Sequence, residues 1–198
     1  ENDLLLCAVD RARRFIDLFP VVDKGLLLIG PPGIGKTHIA IAVLRQVVLE
    51  KGVRGLYYDT RSLLSTIRST YDPVTRTSEV DILRPVMEAE LLVLDDLGAE
   101  RLTDWVEETM NLIVNTRYNA RRPTIFTSNY EDIEDHEDLD SLLVRVGFRM
   151  YSRLHEMCEF LAYSGPDYRL FESTPSKEEL QASWKKQARR KLPARTSV

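Results

Sequence analysis

The sequence predicts a three-layer α/β domain, a mostly parallel sheet of five strands with helices on both faces. Three observations carry that prediction. Short apolar runs alternate with amphipathic helical stretches along most of the chain, as strand–helix–strand crossovers require. One run, Leu26-Leu27-Leu28-Ile29, leads directly into Gly30-Pro31-Pro32-Gly33-Ile34-Gly35-Lys36-Thr37, which fits the phosphate-binding pattern G-x-x-x-x-G-K-[ST]. Another, Leu91-Leu92-Val93-Leu94, ends in Asp95-Asp96, two carboxylates at a strand tip.

The elements follow in order. Asn2 to Leu18 reads as an amphipathic helix with Leu5, Leu6, Val9, Ala12, Ile16 and Phe19 on one side and Arg11, Arg13 and Arg14 largely on the other. Pro20 ends it. The first strand is Leu26–Ile29, buried as a parallel strand must be. After the loop, His38 to Glu50 is helical, with Ile39, Val43, Val47 and Val48 at helical spacing, and Gly52 stops it. Val53 to Asp59 is the second strand. Thr60 to Thr70 is a helix broken at Asp72-Pro73. A helix over Ser78 to Glu90, kinked or interrupted at Pro85, leads to the third strand at Leu91. Thr103 to Asn119 is a long amphipathic helix, and Thr124-Ile125-Phe126-Thr127 is the fourth strand. An exposed acidic loop, Glu131 to Asp140, precedes two short helical pieces around Leu142 and Arg149. The fifth strand lies near Met157 to Tyr163. From Ser173 the character changes. Ser176-Lys177-Glu178-Glu179 has the form of a capping box, and after Glu179 the charged residues are all basic, Lys185, Lys186, Arg189, Arg190, Lys191 and Arg195. That tail reads equally as a solvated end and as a surface for nucleic acid or an acidic partner.

Composition narrows the function classes. A chain of 198 residues, 43% hydrophobic and 29% charged, can bury a proper core. A net charge of −4 argues against a generally basic, nucleic-acid-coating protein, so any nucleic-acid contact must be a local patch. No apolar run reaches the length of a membrane span and no signal peptide is visible. Cys7 and Cys158 match no metal-ligand spacing, so reduced thiols and a cytoplasmic location are expected. The start at Glu1 instead of Met predicts a processed or shortened N-terminus.

The chemistry concentrates at the strand ends. Gly33 and Gly35 let the backbone approach an anion with successive N–H groups aimed at it. Lys36 can reach the β- and γ-phosphates, Thr37 offers a hydroxyl to Mg²⁺, and the following helix points its positive end at the phosphates. An accidental glycine-rich turn would lack the strand before and the helix after. In a parallel sheet the strand ends share one crevice, so Asp95 is placed to hold Mg²⁺ opposite Thr37. Asp96 can orient the attacking water or take its proton. Thr127-Ser128-Asn129 ends the fourth strand in the same crevice, where a polar side chain could contact the γ-phosphate or the water. Arg145, Arg149 and Arg153 are four apart and form one stripe on a helix face. That stripe reads as plain surface or as a source of an arginine finger.

At this point four segments resemble a known family. Gly30 to Ala40 (GPPGIGKTHIA), Leu91 to Glu100 (LLVLDDLGAE), Thr127 to Tyr130 (TSNY) and Arg145 to Cys158 (RVGFRMYSRLHEMC) are similar to the AAA+ domain of DnaC/DnaI-type replicative helicase loaders, a group that also holds the transposition helper IstB. The segments occur in the family's order, over about residues 1 to 170. The resemblance implies a P-loop NTPase sheet in the order 5-1-4-3-2. It implies ATP or ADP and Mg²⁺ bound by Gly30, Pro31, Pro32, Gly33, Ile34, Gly35, Lys36, Thr37 and His38, with Thr37 and Asp95 on the metal. Asp96 stands where many AAA+ proteins have Glu, Asn129 where they have sensor 1, and Arg153 where they have the finger serving a neighbouring subunit, ahead of Arg149 and Arg145. The helix Thr60 to Thr70 stands where relatives face single-stranded DNA, with Arg61, Arg68 and Tyr71 as its contacts. Slow, assembly- or DNA-stimulated ATP hydrolysis, a ring or spiral, and a hexameric helicase as partner are implied with it.

The chain departs from the family in three ways. No C-terminal helical lid with a sensor 2 arginine is expected after the fifth strand, and the family's N-terminal helicase-binding segment is not among residues 1–198. Transposition helpers share its motifs, which leaves that biological role open. The expected organisation is an ATPase domain over residues 1–172, residues 1–20 being a leading helix, and a basic tail over 173–198. Two rivals from other classes remain on sequence: a small-molecule or nucleotide kinase, which needs an acceptor pocket and a mobile arginine-bearing lid, and a non-hydrolysing interaction module, favoured by the shorter side chain of Asp96.

Overall fold

β1 (Gly25–Ile29), β3 (Leu91–Asp95) and β4 (Thr124–Ser128) are buried along their whole length, which is why they read as unbroken apolar runs. β2 (Gly55–Asp59) and β5 (Cys158–Ala162) are the partly exposed edges. All pairings are parallel and the order is β2-β3-β4-β1-β5, the expected 5-1-4-3-2 read from the opposite edge. The computed structural model describes residues 2–72, 76–134, 137–171, 176, 178, 179 and 182.

Alternate side chains of each strand feed two cores. Leu26 and Leu28, Leu91 and Val93, and Ile125 face α1 (Asn2–Leu18) and α2 (Lys36–Lys51). Leu27 and Ile29, Leu92 and Leu94, and Phe126 face the other layer. That layer contains α3 (Thr60–Ser69), α4 (Glu79–Glu88), α5 (Asp104–Asn119), α6 (Leu142–Val146) and α7 (Phe148–Met157). The two helix layers and the sheet between them make the three layers.

Local signals fix the helix ends. Gly52, at φ 67°, returns its N–H to Val48 O and closes α2. Asp59 caps α3 through Ser62 N–H, and Thr103 caps α5 through Val106 N–H. Ser78 and Asp81 form a reciprocal capping box on α4. α4 runs on through Pro85 without interruption, and its C-terminal carbonyls find an outside donor. The buried guanidinium of Arg117 donates to Val86 O at 2.9 Å, Ala89 O at 2.8 Å and Pro123 O at 2.7 Å. A proline costs α4 one internal bond, and the arginine pins its last turn to β4.

Three expectations need correction. Leu6 is exposed at 57%; the buried face of α1 runs through Ala8, Ala12, Phe15 and Phe19, whose 4-3-4 spacing follows one side of the helix and brings two small alanines to the contact. Arg145 does not share a helix with Arg149 and Arg153. Gly147 at φ 81° ends α6 and starts α7 in a new direction, so the three arginines do not form one stripe. Finally, the chain does not leave β5 directly for the tail. Tyr163 N–H bonds Ile29 O, Tyr168 N–H bonds Gly33 O at 3.0 Å, and the 3-10 turn η1 (Tyr168–Leu170) lies over the glycine-rich loop. Ser176 and Glu179 exchange the two bonds of a capping box, while the basic residues from Lys185 to Arg195 and Pro73 lie outside the described residues.

Candidate active site

Parallel register brings the ends of β1, β3 and β4 side by side, with Leu28 opposite Thr127 and Leu94 opposite Phe126. The loops that leave those ends therefore share one crevice of about 770 Å³. One wall is the loop Pro32–Thr37 and the start of α2. Leu5 and Val9 of α1 contribute an apolar side, and Tyr168 and Arg169 close over the top. Such a cleft, apolar at one end and lined with N–H groups and charges at the other, suits a nucleotide.

The loop itself is built for an anion. Gly35 precedes α2 at φ 93°, and a Cβ there would stand in open space, so the cradle above the helix N-terminus is free. Gly33, at φ 83°, has the opposite reason for being glycine: a Cβ would meet Asp167 Oδ1 at 1.9 Å. The segment after β5 is thus fastened against the loop. Gly30 and Pro31 supply carbonyls to Lys36, Ile34 is buried beneath the loop, and Pro32 and His38 line the cleft.

Lys36, Asp95, Asp96 and Asn129 form one network. Lys36 Nζ donates to Gly30 O at 2.6 Å, Pro31 O at 2.8 Å and Asn129 Oδ1 at 2.7 Å. Asn129 Nδ2 in turn donates to Asp96 Oδ1 at 2.7 Å. Burial lowers the Lys36 pKa to about 8, against the pull of Asp96 and Asp95. Asp96 sits at φ 58°, a conformation rare outside glycine and most tolerated by Asp and Asn. Burial raises the Asp96 pKa and nearby Arg61 lowers it, with a net rise.

Asp95 collects hydroxyls. Thr37 Oγ1 lies 2.9 and 3.1 Å from its two oxygens, Thr127 Oγ1 donates to Oδ1 at 2.5 Å, and Tyr57 OH donates to Oδ2 at 2.9 Å. Burial, then the bond to Asp95, raises the Tyr57 pKa well above its ordinary value, so this hydroxyl stays a donor. Thr60 Oγ1 holds the Asp95 backbone carbonyl at 2.7 Å. Thr37 and Asp95 are hard oxygen donors in mutual contact, which fits Mg²⁺. Among the described residues no group of three acids, histidines or cysteines could cage a metal, so phosphate oxygens and water would complete its shell.

The remaining sequence-predicted residues are elsewhere. Arg153 is on α7, half-buried, with Nη1 on Arg149 O at 3.0 Å, and it does not line the cleft. Arg149 borders a separate groove with Phe148 and Glu108. Arg145 lies over the Tyr130 ring at 4.4 Å. Arg61 bonds Ala99 O at 2.9 Å behind Asp96. Arg68 and Tyr71 do meet, around a residue that sequence reasoning missed. The Arg68 guanidinium is 4.6 Å from the Trp105 ring centre, and Trp105 Nε1 donates to Tyr71 OH at 3.2 Å. Tyr57, Tyr168 and Arg169 were also missed as site residues. Thr127 belongs to the polar strand tip that the sequence points to, and its bond to Asp95 is what the structure adds.

Comparison with known proteins agrees with this geometry. The family model described as IstB-like ATP binding protein matches residues 16–176. The uncharacterized protein YqaM of Bacillus subtilis (strain 168) is 29% identical over 162 residues, 79% of this chain and 48% of that one. The replicative helicase loader DnaC of Escherichia coli (strain K12) is 28% identical over 128 residues, 64% of this chain and 51% of that one. The chain thus spans about half the length of the curated relatives it matches. A crystal structure of the DnaC helicase loader superposes with a TM-score of 0.72 at 35% identity, covering 83% of this chain and 92% of that one. The chain belongs to the family of IstB-like ATP-binding proteins, with the P-loop AAA+ fold shared by the DnaC/DnaI helicase loaders.

Proposed function

We propose that this chain is the ATP-hydrolysing AAA+ domain of a DNA-replication helicase loader, extending over residues 1–172 and followed by a basic tail. The observation that supports it most is the convergence of Lys36, Thr37, Asp95, Asp96 and Asn129 at the ends of three adjacent strands.

The steps follow from these side chains. Lys36 leaves the Gly30 and Pro31 carbonyls and Asn129 to engage the β- and γ-phosphates, while the N–H groups of the loop and of α2 take the remaining oxygens. Asn129 is then free to contact the γ-phosphate or the attacking water. Asp96 orients that water and accepts its proton, a role suited to a carboxylate whose pKa is raised by burial. Thr37 and Asp95 would hold Mg²⁺, which when bound neutralises charge on the transferring phosphoryl group. Arg169, over the cleft, adds a positive charge from the same chain. Arg153, remote from its own cleft, serves the ATP of a neighbouring copy in a ring or spiral.

Two partners belong to this reading. Single-stranded DNA would stack on the Tyr71–Trp105 pair beside Arg68, with Arg61 at the other end of α3 linking that helix to Asp96. A hexameric helicase would be the cargo, in line with relatives that are named replicative helicase loaders. The name of the matching family favours a second reading of the same chemistry, a helper ATPase of transposition. ATP turnover measured over a range of protein concentrations, with and without single-stranded DNA, tests the proposal, with Asp96→Asn as the hydrolysis-impaired control. Turnover per subunit should rise with concentration and with DNA. A flat rate in both series would leave no place for a shared site.

A further inference from the structure

Asp95 is the end of β3, and both neighbours of β3 send it a hydroxyl. Thr127, from β4, is buried and donates to Oδ1; Tyr57, from β2, donates to Oδ2 at 2.9 Å. Thr37 spans both oxygens, at 2.9 and 3.1 Å. These three donors are not equivalent. A threonine hydroxyl that gives a lone pair to a cation keeps its O–H, but that single proton serves only one of the two oxygens at a time. Thr127 and Tyr57 each hold one oxygen of their own, and together they fix the carboxylate plane.

Tyr57 is not compelled to make this bond by burial. It is 39% exposed on an edge strand, and its hydroxyl could have pointed to water. The parallel register sets Asp59 beside Asp95 and Tyr57 two residues earlier on the same face, toward α2. The length of tyrosine carries its donor from that point to the strand tip. A phenylalanine would fill the same space with no donor at all.

We propose that Tyr57 is a positioning residue for the metal acid: its hydroxyl holds Asp95 Oδ2 so that the carboxylate stays turned toward the Mg²⁺ that arrives with ATP. The proposal rests on the reading of Thr37 and Asp95 as the Mg²⁺ residues. Donors behind a metal-binding side chain fix its orientation, and their loss typically weakens metal binding about tenfold to a hundredfold. An opposing effect exists, because an acid relieved of a donor is a stronger base. It is the weaker effect here, since Thr127 holds only Oδ1 and the single proton of Thr37 is shared between both oxygens, which leaves Oδ2 without a donor of its own.

The test is equilibrium binding of mant-ATP to wild type and Tyr57→Phe, in EDTA and across a Mg²⁺ titration. Affinity in EDTA should be unchanged, while the Mg²⁺ midpoint should rise about tenfold in the variant. An unchanged or lowered midpoint overturns the proposal, as does an equal loss of affinity in EDTA, which would mean that Tyr57 only shapes the pocket. A wild-type protein whose binding ignores Mg²⁺ overturns the metal reading and this proposal together.

Discussion

The nucleotide cleft and the outer faces of α3 and α7 are made of similar side chains used in opposite ways. In the cleft, Lys36 spends its charge on three acceptors and Asp95 accepts from three hydroxyls, and the partners come from β1, β2, β4 and α2. On α7, Arg153 makes one bond, to a carbonyl of its own helix. At the end of α3, Arg68 and Tyr71 meet the Trp105 ring. Arg117 shows what a committed arginine looks like: buried to 1% exposure and bonded at Nε, Nη1 and Nη2. The difference teaches that the charged groups of the cleft are committed to one another within this chain, while Arg153 and the Arg68–Trp105–Tyr71 cluster stand away from it on outer helices, where the proposed function gives them a role. Preorganised groups act without reorganisation cost, whereas the outer groups gain that role only when a partner covers them.

The largest effect should come from breaking the outer side at α7. Arg153→Ala removes no contact from the cleft, so ATP affinity should stay within about twofold of wild type, while an arginine finger is worth on the order of a thousandfold in turnover. The measurement is turnover at high protein concentration, where the proposed assembly would form, beside mant-ATP affinity. Arg149→Ala in the same assay separates the two arginines, since Arg149 borders the Phe148 groove. Undiminished turnover in both variants would place the finger elsewhere.

What the sequence revealed and what it hid divide along the same line. Gly30 to Thr37 and Leu91 to Asp96 were legible because their chemistry is contiguous: glycines, lysine, threonine and paired acids follow one another on a strand-to-loop passage. The sheet order followed from family resemblance and not from periodicity. Hidden were the bonds between distant elements. Tyr57 reaches Asp95 only because β2 and β3 pair with Asp59 beside Asp95, a register that no local pattern prints. Tyr168 and Arg169 reach the cleft only because the chain turns back after β5, held by Tyr163 on Ile29 and Tyr168 on Gly33. Arginines at intervals of four looked like one stripe until Gly147, at φ 81°, redirected the helix between them.

A middle-sized effect should come from the cluster on α3 and α5. Trp105 is partly buried against the core and is held by the Arg68 cation on its face and by its own N–H on Tyr71, so its ring does not rotate freely. Base stacking on an aromatic ring is worth about 1–3 kcal/mol, so Trp105→Ala should weaken single-stranded DNA binding roughly tenfold. ATP affinity should not change, because none of Arg68, Tyr71 and Trp105 lines the cleft. Anisotropy with a labelled oligothymidylate reads the first quantity and mant-ATP the second. Equal losses in both would mean that the cluster braces the fold instead of meeting DNA, and would erase the distinction between the two regions.

The smallest effect sharpens the comparison from inside the cleft. Burial lowers Lys36 from 10.5 to about 8. Phosphate binding needs the charged lysine, so affinity should be complete below pH 8 and fall as pH rises through about 8. For a group titrating there, the protonated share falls about threefold between pH 7.5 and 8.5, and mant-ATP affinity should follow it. Stability has the opposite sign. The unfolded chain keeps this proton up to 10.5 and the folded, nucleotide-free chain releases it near 8, so the unfolded state binds more protons in that interval. Folding should therefore gain stability from pH 8 to 10.5 while ATP binding is lost, a divergence that a denaturation series and a binding series over the same pH range would expose. Parallel curves would mean that Lys36 is charged throughout, and that its three acceptors outweigh its burial.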